Sequence, residues 1–282
     1  MGFEKEVWYR YHQVHAIAQK EARKAEKDGL ECSPKQLKHV LENRELADNV
    51  ELGTIEIPVD AIVGTANFDE NDLYSPNFHP IASINSPYAS EWCQIYLDYL
   101  TDKGWDNPIR CFEFLGRFYV QDGKKRVSVL KANGATVTEA IVTRIMPALS
   151  QDEEIVNYYK FLKNYEKSGL YQVALTHPES FEKLQAAFGY KTDYVWNEGD
   201  RFHFLFNLIH VAYALQNAFH GNLNITAADA MVALLEDYTI AEIRKMQPWD
   251  LSKELQNSWV KLYKILDPDF EVALAGVIKK AS

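Results

Sequence analysis

The 282-residue sequence predicts an α+β protein in three zones: a helical N-terminal extension over 1–48, a mixed α and β core over 49–148, and an all-helical C-terminal domain over 149–282. Two changes of pattern carry this reading. At Gly53 helical periodicity gives way to the β-branched run TIEIPVDAIVGT, punctuated by Pro58 and Gly64, and beyond Gln151 almost only helical signals remain. Composition agrees, because 47% hydrophobic and 25% charged residues belong with globular chains of one or two domains, not with disordered ones.

Over 4–27, Val7, Tyr11, Val14 and Ala18 recur at helical spacing and charges fill the far end, so the spacing predicts an amphipathic helix stopped by Asp28-Gly29. Ser33-Pro34 predicts the start of a second helix, serine as N-cap and proline in the first turn, where its missing N–H costs nothing. A short strand follows around Ile55 and Ile57. The segment from Gly64 to Tyr88, dense in Asn, Asp, Ser and Pro, predicts a long, mobile loop, of the kind that serves as a lid.

A helix over 89–103 ends at Gly104. The run PIRCFEFLGRFYVQDG predicts two strands, 109–115 and 117–120, joined through Gly116. A helix over 125–133 closed by Gly134 and a strand in TVTEAIVTRI complete the core. Helices are expected at 152–167, 178–188, 198–219, 227–238, 240–246, 251–266 and 270–280, with Thr226 and Thr239 as N-caps. RFHFLFNLIHVAYALQNAF is apolar nearly all round, which places it inside a bundle.

No run approaches the roughly 20 apolar residues a bilayer-spanning helix requires, and the first residues are charged and aromatic, which points to a cytoplasmic protein without a membrane partner. Cys32, Cys93 and Cys111 are odd in number and lack a CxxC pair, so buried thiols are expected, not disulfides or a zinc site. The net charge is −10, with about −5 on 49–150, about −5 on 151–282 and none on 1–48. Duplex DNA is held by neutralising phosphates, so an acidic chain disfavours it as a main partner, whereas a small anionic nucleotide needs only a local cationic pocket.

Such a pocket is offered by Lys124, Lys125 and Arg126, at a strand, Gly, helix junction. Helix N-termini bind anions because their first N–H groups lack internal partners, and Gly123 allows a tight turn and close approach of a phosphate. A plain exposed turn explains the same three residues. The ordered series IEIPVDAIVGT, PIRCFEFLGRFYVQDGKKRVSVLKANGA and VTEAIV, over about 52–147, resembles the ParB/sulfiredoxin-like fold family, in which a hairpin ends in a Gly-rich basic turn and a short helix.

The resemblance implies a nucleoside triphosphate, CTP or ATP, with its phosphates over Asp122, Gly123, Lys124, Lys125, Arg126 and Ser128. Gly123 and Arg126 match the ParB, sulfiredoxin and free-serine kinase forms of the turn, and Asp122 matches the kinase form. Lys124 stands where sulfiredoxin has its nucleophilic cysteine and ParB a glutamate, which argues against sulfiredoxin chemistry. Asp69, Glu70 and Asp72 are the candidate catalytic carboxylates, since phosphoryl transfer needs a group to orient a nucleophile or hold Mg²⁺. Glu113 and Asp122 flank the hairpin as further candidates.

His12, His15, His203 and His210 have no Cys, Asp or Glu at metal-ligand spacing, and no metal site is expected from them. No G-x-S-x-G, Walker A or Rossmann pattern occurs. Two further functions remain open on sequence. One is a DNA-associated regulator with a helix-turn-helix in ITAADAMVALLEDYTIAEIRKM, where only Arg244 and Lys245 face phosphates. The other is a degenerate domain kept for protein contacts; a homo-oligomer is compatible with all of them.

Overall fold

The structure, a computed structural model, describes residues 2–67, 69–101, 103–105, 107–219 and 225–266. It mixes helix and sheet and divides into two compact units, 1–150 and 151–282. The first 48 residues fall inside the first unit, and one of its strands, Leu46–Pro58, runs across position 49.

In the first unit α1 (Gly2–Lys27) buries Val7, Tyr11, Val14 and Ala18, as their spacing predicts. The expected start at Ser33 does not hold. Lys35–Gln36 form a two-residue strand, β1, and α2 (Leu37–Leu41) begins after Gln36 without a side-chain cap. The reason is tertiary: β1 lies parallel beside Gly64 and Thr65, and those pairings outweigh the local helix signal.

β2 (Leu46–Pro58) starts eight residues before the β-branched run that announces it, because its first half is solvent-exposed and carries no apolar alternation. It is an edge strand with two register shifts, at Leu46/Asp48 and Glu51/Gly53, and bears Asp48, Glu51 and Glu56, features that blunt an open edge. β3 (Ile62–Thr65), α3 (Pro87–Leu100), β4 (Ile109–Phe114), β5 (Arg117–Asp122), α4 (Lys124–Ala132) and β6 (Val137–Pro147) follow. The sheet runs β1-β3-β5-β4-β6-β2, with β1, β3 and β5 parallel, β4 antiparallel to β5 and parallel to β6, and β2 antiparallel to β6.

Successive residues of a strand face opposite ways, so β5 buries Phe118 and Val120 on one face and Tyr119 on the other. The Tyr119 face forms a small core with Leu37, Phe114 and Ile145. Both faces being covered explains why FYV reads as an unbroken apolar run. Gly64 has a packing reason: a Cβ there would overlap the Lys35 carbonyl oxygen and so prevent β1 from pairing.

The 66–88 segment is not an open lid. Tyr74, Ser75 and Phe78 are fully buried, and Asn71 donates to the Pro34 carbonyl and accepts from Thr65 Oγ1. Glu21 of α1 pins the segment through Ser75 Oγ (2.6 Å), His79 Nδ1 (2.9 Å) and Asn77 Nδ2 (3.0 Å). Burial alone would raise the Glu21 carboxyl, but the hydrogen bonds from His79, Ser75 and Asn77 outweigh it and hold the pKa below the usual range. The Asn, Ser and Pro that suggested mobility serve instead as side-chain partners for an irregular backbone.

The second unit is helical among its described residues: α5 (Glu153–Ser168), α6 (Phe181–Ala187), α7 (Glu198–Phe219), α8 (Ala227–Leu234), α9 (Ile240–Lys245), α10 (Pro248–Asn257) and α11 (Trp259–Leu266). Thr226 and Thr239 cap α8 and α9, each in a reciprocal capping box. The single helix expected over 251–266 is two, separated at Ser258, and starts earlier at Pro248. The helix expected at 270–280 lies outside the described residues. α7 is not enclosed: Phe204, Leu208, Val211 and Ala214 are buried, but Phe202, Phe206, Ile209 and Tyr213 are exposed.

Candidate functional site

β5 ends at Asp122, and Gly123 takes φ 99° and ψ 22° to turn the chain into α4. An L-residue rarely adopts such a φ. No side chain caps α4, so the first N–H groups of the helix point out of its N-terminus without an internal acceptor. A Cβ at Gly123 would meet the Arg126 guanidinium at 3.1 Å, which means that Arg126 folds back against the turn.

Consecutive residues on a helix diverge by about 100°, and this separates the three cations. Lys124 Nζ turns to the loop and donates to the carbonyls of Asn67 and Asp69. Burial pushes the Lys124 ammonium below the usual lysine range, against the attraction of Glu70 and Asp69. Lys125 Nζ lies 2.7 Å from Glu91 of α3, 3.8 Å from Glu70 and 5.2 Å from the Tyr88 ring centre. Arg126 Nη2 bonds Asp122 at 3.0 Å, whereas its Nη1 is buried without a hydrogen-bond partner among the described residues.

The structure brings Asp122, Gly123, Lys124, Lys125 and Arg126 together but not Ser128. Ser128 is buried beneath α4, where its Oγ accepts from Trp92 Nε1 at 2.9 Å. It sits one turn into the helix on the inner face, so it holds α3 to α4 and has no path to a phosphate. Asp69 and Glu70 lie beside the lysines, Glu70 in the left-handed region at φ 59°, while Asp72 is exposed in the 3₁₀ turn Asn71–Leu73. Among the described residues no three His, Cys, Asp or Glu side chains gather where a metal ion could sit.

Glu113 is likewise absent from the turn. It is fully buried, accepts from Gly116 N at 2.6 Å and from Arg144 Nε at 2.6 Å, and so fixes the β4–β5 hairpin against β6. His15 Nδ1 meets the Pro80 carbonyl and His210 Nε2 the Met246 carbonyl, while His203 stacks edge-on to Phe188. Cys93 and Cys111 are buried thiols whose pKa burial pushes up to about 12; Cys32, expected to be buried, is exposed in the connection after α1.

Two contributors were missed in the sequence. Glu91 and Tyr88 reach Lys125 only because α3 packs on α4. A hollow of about 480 Å³ lies between α2 and the loop, lined by Leu37, Lys38, Leu41 and Glu42 on one side and Ala66, Asn67 and Phe112 on the other. Asn67 joins this hollow to the turn, since its carbonyl takes Lys124 Nζ and its Nδ2 reaches the Gln121 carbonyl. Nothing local marks it, because α2 reaches the sheet only through the pairing of β1 with β3.

The suggested helix-turn-helix is poorly placed for DNA. α8 is buried at every residue from Ala228 to Leu234, and α9 has only six residues, with Glu242 bound to Thr239 in its first turn and Arg244 over the Phe206 ring at 5.2 Å. No helix among the described residues is long and apolar enough to cross a membrane. No protein-family model matches the chain, and no curated protein matches it.

Proposed function

We propose that the first unit binds a nucleoside triphosphate, CTP or ATP, in the manner of ParB/sulfiredoxin-like domains, with the phosphates over Gly123 and the base in the hollow beside α2. One observation carries the reading: an uncapped helix N-terminus with a glycine turn, against which Arg126 lies with Nη1 buried and unpartnered. A buried donor without an acceptor costs about 1–3 kcal/mol, and a phosphate oxygen at the helix end removes that cost.

The cations already have carboxylate partners, and these are weak competitors. Glu70, Glu91 and Asp122 are each half-exposed or more, and exposed ion pairs contribute about 0–1 kcal/mol. A triphosphate brings more charge and the helix N–H groups as well. Leu41, Ala66 and Phe112 give the hollow apolar surface for a base, and Lys38, Glu42 and Asn67 give it polar edges. Because no three acidic side chains converge among the described residues, Mg²⁺ would arrive on the nucleotide and draw most of its ligands from phosphate and water. Asp69 and Glu70, beside Lys124 and Lys125, would meet such an ion from the solvent side, and no bond-breaking step is assigned to them.

The test is calorimetric titration of CTP and ATP, with and without Mg²⁺, into wild-type protein and Arg126→Ala. The expected result is binding that weakens in the variant by about 1.5–3 kcal/mol, or about 10- to 150-fold in Kd. No binding of either nucleotide, or equal affinity in both proteins, overturns the proposal.

A further inference from the structure

We propose that α7 is the seam of a homodimer, formed by antiparallel packing of its exposed stripe against the same stripe of a second copy. This is independent of the nucleotide site. Phe202, Phe206, Ile209 and Tyr213 are 72%, 51%, 61% and 59% exposed, and Trp249 at the start of α10 is 71% exposed. Their spacing of four, three and four residues sets one side chain per turn along a single face, which is the pattern of a helix–helix seam.

The stripe is complementary to itself. In an antiparallel pair centred between Asn207 and Leu208, Phe202 of one copy meets Tyr213 of the other, and Phe206, which carries the Arg244 guanidinium 5.2 Å from its ring centre, meets Ile209. α10 runs alongside α7 with the same polarity, since Ser252 Oγ and Gln256 Nε2 donate to the carbonyls of Ala214 and Ala218. Trp249, one turn before Ser252, therefore flanks the Tyr213 end and would cover Phe202 of the other copy. Charges agree with this direction: Glu198, in the first turn of α7, would face Lys253, which lies against Trp249 with 5.8 Å between its ammonium and the ring centre.

Area separates this face from ordinary surface hydrophobics. An aromatic side chain carries about 150–250 Å², so at these exposures the stripe and Trp249 present about 600 Å² of side chain. That stands at the upper end of the roughly 300–600 Å² that the largest patch of a monomer covers, and two copies would bury about 1,200 Å², above the roughly 1,000 Å² expected of a specific interface. The apolar character that suggested a fully enclosed helix thus has a physical use on both sides: one face packs its own unit and the other packs a copy.

The experiment is sedimentation equilibrium on the full chain and on Ile209→Asp, with circular dichroism to compare their folding. The wild type is expected at twice 32.4 kDa and the variant at 32.4 kDa with an unchanged helical spectrum. As a second measurement, Phe202→Cys with Tyr213→Cys in a Cys32→Ser background should form a disulfide-linked dimer under mild oxidation, without needing the Asp variant to fold. A monomeric wild type overturns the proposal. So does a dimer that survives Ile209→Asp while the cysteine pair fails to cross-link.

Discussion

Replacing Lys131 by methionine should stabilise the protein at neutral pH and remove a specific feature of its pH dependence. Lys131 lies in the last turn of α4 with its ammonium 5.6 Å from the Phe78 ring centre, and burial pushes its pKa from 10.5 down to about 8, with Asp60 and Glu21 offsetting part of the fall. The unfolded chain keeps this proton up to about pH 10.5, whereas the folded protein releases it near pH 8. Between those values the unfolded state binds more protons, so stability must rise with pH across that window and fall again as pH drops through about 8. The gap between 10.5 and 8 corresponds to about 3 kcal/mol at 1.36 kcal/mol per pH unit. Methionine fills similar volume without the charge but loses a cation–π contact worth about 0.5–1 kcal/mol, which leaves a net gain of about 2 kcal/mol near pH 7. Urea denaturation of both proteins from pH 6 to 10.5 measures this, since all other titrations cancel in the difference. Parallel stability profiles, or a variant less stable at pH 7, would refute the claim that a charged amine is held there against its solvation.

Gly123→Ala should cost about 1–3 kcal/mol in the same assay, because φ 99° strains any L-residue and the added Cβ meets the Arg126 guanidinium; unchanged stability would mean that the turn relaxes freely. Glu21→Gln should lose about 1–3 kcal/mol at pH 7, since the amide cannot accept from Ser75, Asn77 and His79 together. The Glu21 carboxyl is held below 4.5, so its contribution is present above that pH and lost as pH falls through the lower folded value. The two denaturation curves should therefore converge in acid, and a gap that persists there would remove Glu21 as the anchor of the 66–88 segment.

Where apolar spacing and a local stop signal act together, the chain alone was decisive. α1, the β4–β5 hairpin through Leu115-Gly116, the Gly123 turn and the capped starts at Thr226 and Thr239 all depend on neighbours within a few residues, and each stands where those neighbours put it. The grouping of Lys124, Lys125 and Arg126 was legible for the same reason. Their directions were not, because Asn67, Glu91 and Asp122 reach them from a loop, a helix and a strand end.

What the tertiary structure decided rests on contacts between distant segments. Lys35–Gln36 became a strand through pairing with β3, Ser128 turned inward to meet Trp92, and Glu113 was taken up by Arg144. The 66–88 segment, polar in composition, became fixed because Glu21, some 50 residues earlier, supplies an acceptor for three of its donors. Composition measures how much apolar surface a segment owns, but not which partners its polar groups will find. That depends on the fold, since a buried hydrogen bond forms only when packing has already brought donor and acceptor together.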